Sequence, residues 1–346
     1  MVHLLDLING RIFLTALREE GTPVSILTVT DQEEEGGPLL RPYPDWSWYR
    51  TLPMDGCDGI PGVVCGIHIQ CNHLFVMDSG IYNFEQICPP RLLIFDLSTD
   101  KLVKSVTIPL NIANNKNGTG FLTTVTAFAP HCENIKDNAV VFMADTDGFG
   151  MAIYNTSTSK FCRIDSDSMK PTGIGYYVGN QFYPLQDGIV GTTVVQNKDL
   201  YYASFAGNKI YKMEISKIAG CSQSETKALT QLAFEIPDKT TALASANCVI
   251  FFTDVKKSSV MCADTTKEIN SQNMEVIEQD FETLQLSSMM KNRGGKLVIL
   301  SNKYHLHDSY VGLNISDINF RIFSMLNTEI QKQTKCFSSC PGIYLS

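Results

Sequence analysis

The chain contains no apolar run near the roughly 20 residues that a helix needs to cross a bilayer. Charge is scarce: 18% of residues are Asp, Glu, Lys or Arg, the net charge is −8, and no stripe of Lys and Arg stands out. That argues against nucleic acid as a partner, because neutralising phosphates takes clustered cations. There is no Gly-rich phosphate loop, no Ser nucleophile elbow, no His-Glu-x-x-His string and no repeated Cys-x-x-Cys pairing, so neither a cofactor nor a metal is expected. Long helical periodicity is missing too. What remains is ample apolar material, 44% of the chain, enough to bury a core.

That apolar material is arranged as a repeat. Six short apolar strands end in a polar tag: Arg11–Thr15, Leu74–Asp78, Val141–Asp145, Leu200–Ser204, Ile250–Asp254 and Leu297–Asn302. From Phe13 through Phe75, Phe142, Tyr202 and Phe251 to Val298 the steps are 62, 67, 60, 49 and 47 residues. Such a period is too long for a solenoid coil and suits one propeller blade with variable loops. A second strand follows each tag, at Val24–Leu27, Leu92–Phe95, Met151–Tyr154, Lys209–Lys212, Ser259–Cys262 and Phe320–Phe323. A smaller-residue strand precedes each, at His3–Leu7, Gly62–Ile67, Thr123–Ala127, Gly188–Thr192, Thr241–Ser245 and Leu284–Ser288, as an inner position crowded around an axis requires. Asn9-Gly10 and Gly294-Gly295 supply tight hairpin turns, and Glu33-Glu34-Glu35-Gly36-Gly37 reads as a solvated loop tip. The expectation is an all-β chain, residues 1–346 forming one six-bladed β-propeller.

Eleven cysteines are many for a cytosolic chain, and their odd count leaves at least one outside any intrachain bridge. Three sequons, at Asn117, Asn155 and Asn314, agree with an oxidising, secretory environment and mark expected glycosylation sites. Met1-Val2-His3-Leu4 has none of the features of a signal peptide, so secretion implies a leader that this sequence does not include.

Several side chains carry chemistry. Asp78, Asp145 and Asp254 recur at strand ends, where a carboxylate accepts backbone N–H bonds in the following turn. The functional alternative points one or two of them, Asp78 and Asp145 foremost, into an axial channel to meet an amine or take a proton. Asp187 is the best placed of all, since loops feeding inner strands surround a channel mouth. Phe149, Phe205 and Tyr304 are candidate walls for a flat ring ligand, against the plainer reading of aromatics packed between blades. Trp46 and Trp48 read as a packing anchor. His305-Leu306-His307-Asp308 is the one metal-like string, but two or three ligands on one loop do not close a site, and a solvated loop is the preferred reading. A nucleophilic thiolate would need a base that spacing alone does not place.

The segments Pro42-Tyr43-Pro44-Asp45-Trp46-Ser47-Trp48, Cys57-Asp58-Gly59-Ile60, Cys71 to Gly80 and Ile87-Cys88-Pro89-Pro90-Arg91 to Leu97 resemble the yellow / major royal jelly protein family of insects. So do Ala144-Asp145-Thr146-Asp147-Gly148-Phe149-Gly150, Asp187-Gly188-Ile189-Val190-Gly191 and Leu300-Ser301-Asn302, so that the resemblance runs across nearly the whole chain. It implies a secreted six-bladed propeller, in agreement with the blade count. It also implies a signal peptide and a further strand ahead of His3–Leu7, without which the last blade keeps an unpaired edge. The family pattern implies that Cys71 bridges Cys132 and that Cys262 bridges Cys336 or Cys340. Cys57 and Cys88 are a third candidate pair.

For function, the resemblance implies a protein of the melanin and catecholamine pathway. Some members are described as converting dopachrome to a dihydroxyindole, a tautomerisation in which a base takes a ring-carbon proton and a donor steadies the oxygen. Asp187 is the expected base and Asn302 or Tyr304 the donor, since this neighbourhood lines the ligand pocket in amine-binding members. The alternative is a binder of biogenic amines such as serotonin or dopamine, without turnover, and a third reading is a structural or nutritive protein. In the first two the partner is a small aromatic amine or indole-quinone. Nothing in the sequence speaks to oligomeric state.

Overall fold

The six tagged segments are the second strands of six antiparallel sheets, and the fold is a six-bladed β-propeller. The structure is a computed structural model and describes residues 2–49, 56–221, 229–306, 312–314 and 316–340. The chain divides into two compact units, Met1–Asp165 and Ser166–Ser346.

The first unit holds three four-stranded blades. Blade 1 runs Val2–Ile8, Arg11–Ala16, Ile26–Glu34, Gly37–Pro42. Blade 2 runs Ile67–Gln70, His73–Asp78, Arg91–Asp96, Lys101–Thr107. Blade 3 runs Leu122–Phe128, Val140–Asp145, Gly150–Asn155, Lys160–Asp165. In the second unit, blade 4 runs Ile189–Val195, Asp199–Ser204, Gly207–Glu214, Gln231–Thr240, and blade 5 runs Leu243–Ala246, Val249–Asp254, Ser259–Asp264, Met274–Gln279. Blade 6 shows three strands among the described residues, Leu286–Arg293, Lys296–Asn302 and Phe320–Leu326, followed by a short helix at Asn327–Gln333. An aromatic hairpin, Gly175–Val178 with Gln181–Pro184, precedes blade 4. No described helix is long and apolar enough to cross a membrane.

Between their polar ends the second strands are apolar because both of their faces are buried there. In blade 2, Phe75 and Met77 join Val125, Val141, Met143 and Tyr154 of blade 3 in one core cluster. A fully buried side chain of this size is worth about 1.5–3 kcal/mol relative to exposure. Inner strands of successive blades touch directly within each unit. The Ile69 amide donates to Asp6 at 2.7 Å, the Thr193 and Ser245 hydroxyls meet at 2.8 Å, and Thr241 donates to the Ser287 carbonyl at 2.7 Å. A larger side chain there meets backbone: a β-carbon on Gly66 would fall 3.1 Å from the Thr123 carbonyl and closer still to Met77. The predicted turns are present as well, with Asn9 and Gly10, and Gly294 and Gly295, all at positive φ.

Three differences from the sequence reading have plain causes. The inner strand expected at Gly62–Ile67 begins only at Ile67, because the Gly62 amide and carbonyl are taken by Asp78 and Ser79. The outermost strands escaped notice because they are half exposed and polar, as Lys101–Thr107 shows. Trp46 is 61% exposed, too open to be a buried anchor, whereas the Trp48 ring packs 5.2 Å from Phe95.

Disulfides join Cys57 to Cys88, Cys71 to Cys132, Cys262 to Cys336 and Cys248 to Cys340. Cys162 and Cys221 are disulfide-bonded too, while Cys65 stays a thiol. Cys71–Cys132 staples blade 2 to blade 3. Cys340, expected as one possible partner of Cys262, instead takes Cys248, which the sequence reading did not consider. Bonds of this number belong to an oxidising compartment.

Candidate functional site

The strand-end carboxylates of the first unit are spent on structure. Asp78 has no exposed surface; one oxygen accepts the Gly62 and Gly80 amides at 3.2 and 3.1 Å, and the other takes Arg91 Nη2 at 2.7 Å. Asp145 repeats the arrangement. Its Oδ1 accepts the Phe121 and Gly148 amides at 2.6 and 2.8 Å, and Oδ2 meets Arg163 Nη2 at 2.7 Å. A β-carbon on Gly148 would collide with both Asp145 and Arg163, which is why glycine follows Asp147 in the family-like motif. Asp78 and Asp145 thus follow the turn-capping reading and not its ligand-facing alternative: they are fully buried latches that tie a strand end to a loop and an arginine. Phe149 stands beside this latch, half-buried and at positive φ.

The second unit gathers the other candidates. In the aromatic hairpin Tyr176 lies opposite Tyr183, with rings 5.9 Å apart, and the Tyr176 ring meets Phe205 edge-on at 5.8 Å. The Phe205 amide donates to the Gly188 carbonyl at 2.8 Å, which seats Phe205 beside Asp187. Burial, with Tyr304, Tyr183 and Asp187 nearby, pushes the Tyr176 phenol up. Phe205 and Tyr304 both pack against this cluster. Asn302 is buried at the end of its strand; its Oδ1 accepts the Tyr304 amide at 2.9 Å and its Nδ2 donates to Ser288 at 2.8 Å. Asp187, Phe205, Asn302 and Tyr304 therefore fall around one aromatic cluster. Tyr176 and Tyr183 were missed by the sequence reading, although Gly175-Tyr176-Tyr177-Val178-Gly179-Asn180-Gln181-Phe182-Tyr183 carries a hairpin's turn residues between aromatic pairs.

His305 belongs to the same cluster rather than to a solvated loop. Its ring stands edge-on to Tyr183 at 4.9 Å, and its Nδ1 is buried with no hydrogen-bond partner among the described residues. Burial, helped by Lys303, holds its pKa down to about 4 from 6.5, so the imidazole is neutral at neutral pH. His307 and Asp308 lie outside the described residues, and among the described residues no group of three or more His, Cys, Asp or Glu is placed to hold a metal. A stability effect follows. Below pH 6.5 the unfolded chain takes up a proton that folded His305 refuses, so stability is lost as the pH falls from about 6.5 towards 4. The ceiling is roughly 3 kcal/mol. Denaturant titrations at pH 7 and pH 4.5 should show His305→Phe losing less stability on acidification than the unmodified protein; equal losses would contradict a buried neutral imidazole.

The three sequon asparagines lie at turns. Asn117 and Asn314 are exposed, and Asn155 is half-buried, with its Oδ1 accepting the Ser157 amide and hydroxyl at 3.0 and 2.6 Å.

Comparison with known proteins agrees with this architecture. The family described as Major royal jelly protein matches residues 64–336. Major royal jelly protein 8 of Apis mellifera is 31% identical over 360 aligned residues, covering 98% of this chain and 85% of that protein. Major royal jelly protein 1 of the same species is 29% identical over 355 residues, covering 96% and 81%. Among solved structures, the RRP9 WD40 repeats superpose with a TM-score of 0.52 at 11% identity, over 94% of each chain, a likeness of fold alone. With the family matched over that span and relatives aligned along most of both chains, the protein belongs to the yellow / major royal jelly protein family.

Proposed function

We propose that this is a secreted, glycosylated protein of the melanin and catecholamine pathway that tautomerises dopachrome at the aromatic cluster of its second unit. The observation that carries the reading is the convergence of Asp187, Phe205, Tyr304 and neutral His305 around Tyr176 and Tyr183. A flat indole-quinone stacks against such rings, and a carboxylate at the cluster's edge takes the ring-carbon proton. The proton is returned to the quinone oxygen, so the net change is an isomerisation with no oxidant. Tyr304 is the donor to that oxygen, and Asn302 positions it by holding the Tyr304 amide. The family relationship supports the pathway, and the disulfides support the compartment.

The test is bleaching of dopachrome followed by visible absorbance. Turnover beyond one equivalent is expected, with Asp187→Asn lowering kcat by about 100-fold or more, the usual contribution of a positioned base. Full activity in a folded Asp187→Asn protein would end the assignment. The second reading, an amine binder, draws on the same carboxylate and rings, a match for an ammonium on an aromatic amine. Saturable serotonin or dopamine heat with no dopachrome turnover would move the function there.

A further inference from the structure

Three of the blades end their second strand in aspartate, and two of those carboxylates are paired internally with a guanidinium. The third is not. Asp254 closes Val249–Asp254 as Asp78 and Asp145 close their strands, and its Oδ1 likewise accepts a backbone amide three residues on, from Lys257 at 3.2 Å, as Asp145 accepts from Gly148. Its Oδ2 is buried with no hydrogen-bond partner among the described residues, and the Lys257 ammonium stays 3.9 Å away. Asp254 is 2% exposed, yet it lines a cavity of about 520 Å³ together with Asn180, Asp238, Lys256, Lys257 and Phe281. An unpartnered buried carboxylate oxygen is costly, and the matching blades show which group relieves it.

We propose that this cavity binds a small guanidino acid, arginine being the simplest, with its guanidinium on Asp254 and its carboxylate towards Lys256. The guanidinium would make to Oδ2 the contact that Arg163 makes to Asp145 and Arg91 to Asp78, both at 2.7 Å. Phe281 offers a ring face on which a planar cation stacks, and Asp238 adds negative charge on the same wall. Lys256 and Lys257 repel a bare cation and favour one that brings its own anion. Binding also draws the Asp254 carboxyl back into its charged form, against the burial that now pushes it up. The inference does not rest on the dopachrome reading, because it concerns other residues and another class of ligand.

Calorimetry of the full chain with L-arginine, agmatine and L-lysine at pH 7 tests it. Arginine is expected to bind saturably, more tightly than agmatine, which lacks the carboxylate, and than lysine, which lacks the planar fork. Asp254→Asn removes the charge without changing shape, should fold with undiminished thermal stability, and should weaken arginine roughly tenfold or more. Lys256→Met should narrow the gap between arginine and agmatine. Phe281 is exposed, so Phe281→Ala serves as a second variant if Asp254→Asn fails to fold, and it too should weaken binding. No arginine heat up to about 10 mM, or equal affinity in Asp254→Asn, overturns the site.

Discussion

Replacing Arg163 with methionine is expected to destabilise the first unit by about 3–5 kcal/mol, the usual cost of stranding a buried charge. The side chain is 7% exposed and Asp145 is not exposed at all. All five guanidinium donors are used: Nε on Asp165, Nη1 on the Ile112 and Ala113 carbonyls, and Nη2 on Asp145 and the Gly148 carbonyl. Methionine fills similar volume, so the loss comes from unpaired acceptors and not from a cavity. Lysine should do little better, since one ammonium with three donors cannot reach five acceptors arranged as a fork. Adding Asp145→Asn to Arg163→Met should restore part of the loss, because the stranded charge is removed while the amide oxygen still accepts from Phe121 and Gly148. Both tryptophans, Trp46 and Trp48, lie in the first unit, so tryptophan fluorescence in a denaturant titration reports on it. A change below about 1 kcal/mol for Arg163→Met would mean that Asp145 does not depend on its guanidinium.

The second large effect is expected at the C-terminal tail. Cys262 and Cys336 close a separation of 74 residues, and Cys248 and Cys340 one of 92. Loops of that length put the loss on removing one bond near the top of the range of about 2–5 kcal/mol. Cys262 and Cys336 are both buried within the cluster that holds Phe251, Ile330 and Phe337, so alanine is the proper replacement and serine would add an unpaired hydroxyl. Cys262→Ala with Cys336→Ala should lower the unfolding midpoint of the second unit. Removing Cys248 and Cys340 as well should cost more than either pair alone, since each bond limits what the other's loss can release. Circular dichroism under denaturant checks this, and an unchanged midpoint would show that tail packing suffices without the bonds.

Much of this molecule was legible because the propeller repeats its most apolar strand. Leu74–Asp78 or Ile250–Asp254 announces itself by being buried on both faces, and the observed strands begin only one residue earlier. Polar outer strands such as Lys101–Thr107 gave no such signal, since a half-exposed strand of mixed composition resembles a loop. The site was legible in part for the same reason. Asp187 and Asn302 sit at strand boundaries that the repeat defines, whereas Tyr176, Tyr183 and His305 come from a hairpin and a loop outside the repeat. For Asp78 and Asp145 the backbone bonds were legible and the arginines were not, because those partners are not at matching places. Arg91 opens the third strand of its blade, while Arg163 lies within the fourth strand of the next. Cys248 was missed because a bond across 92 residues leaves no local pattern.

That mismatch of arginines separates what the repeat dictates from what it leaves open. Where the apolar strand repeats, the carboxylate that ends it repeats too, but its cation comes from a strand that differs from blade to blade. Blade 2 and blade 3 meet their carboxylates from two different strands, and among the described residues no arginine meets Asp254 in blade 5. A repeated strand thus sets carboxylates at predictable addresses, and what each one does is decided by the neighbour that happens to face it.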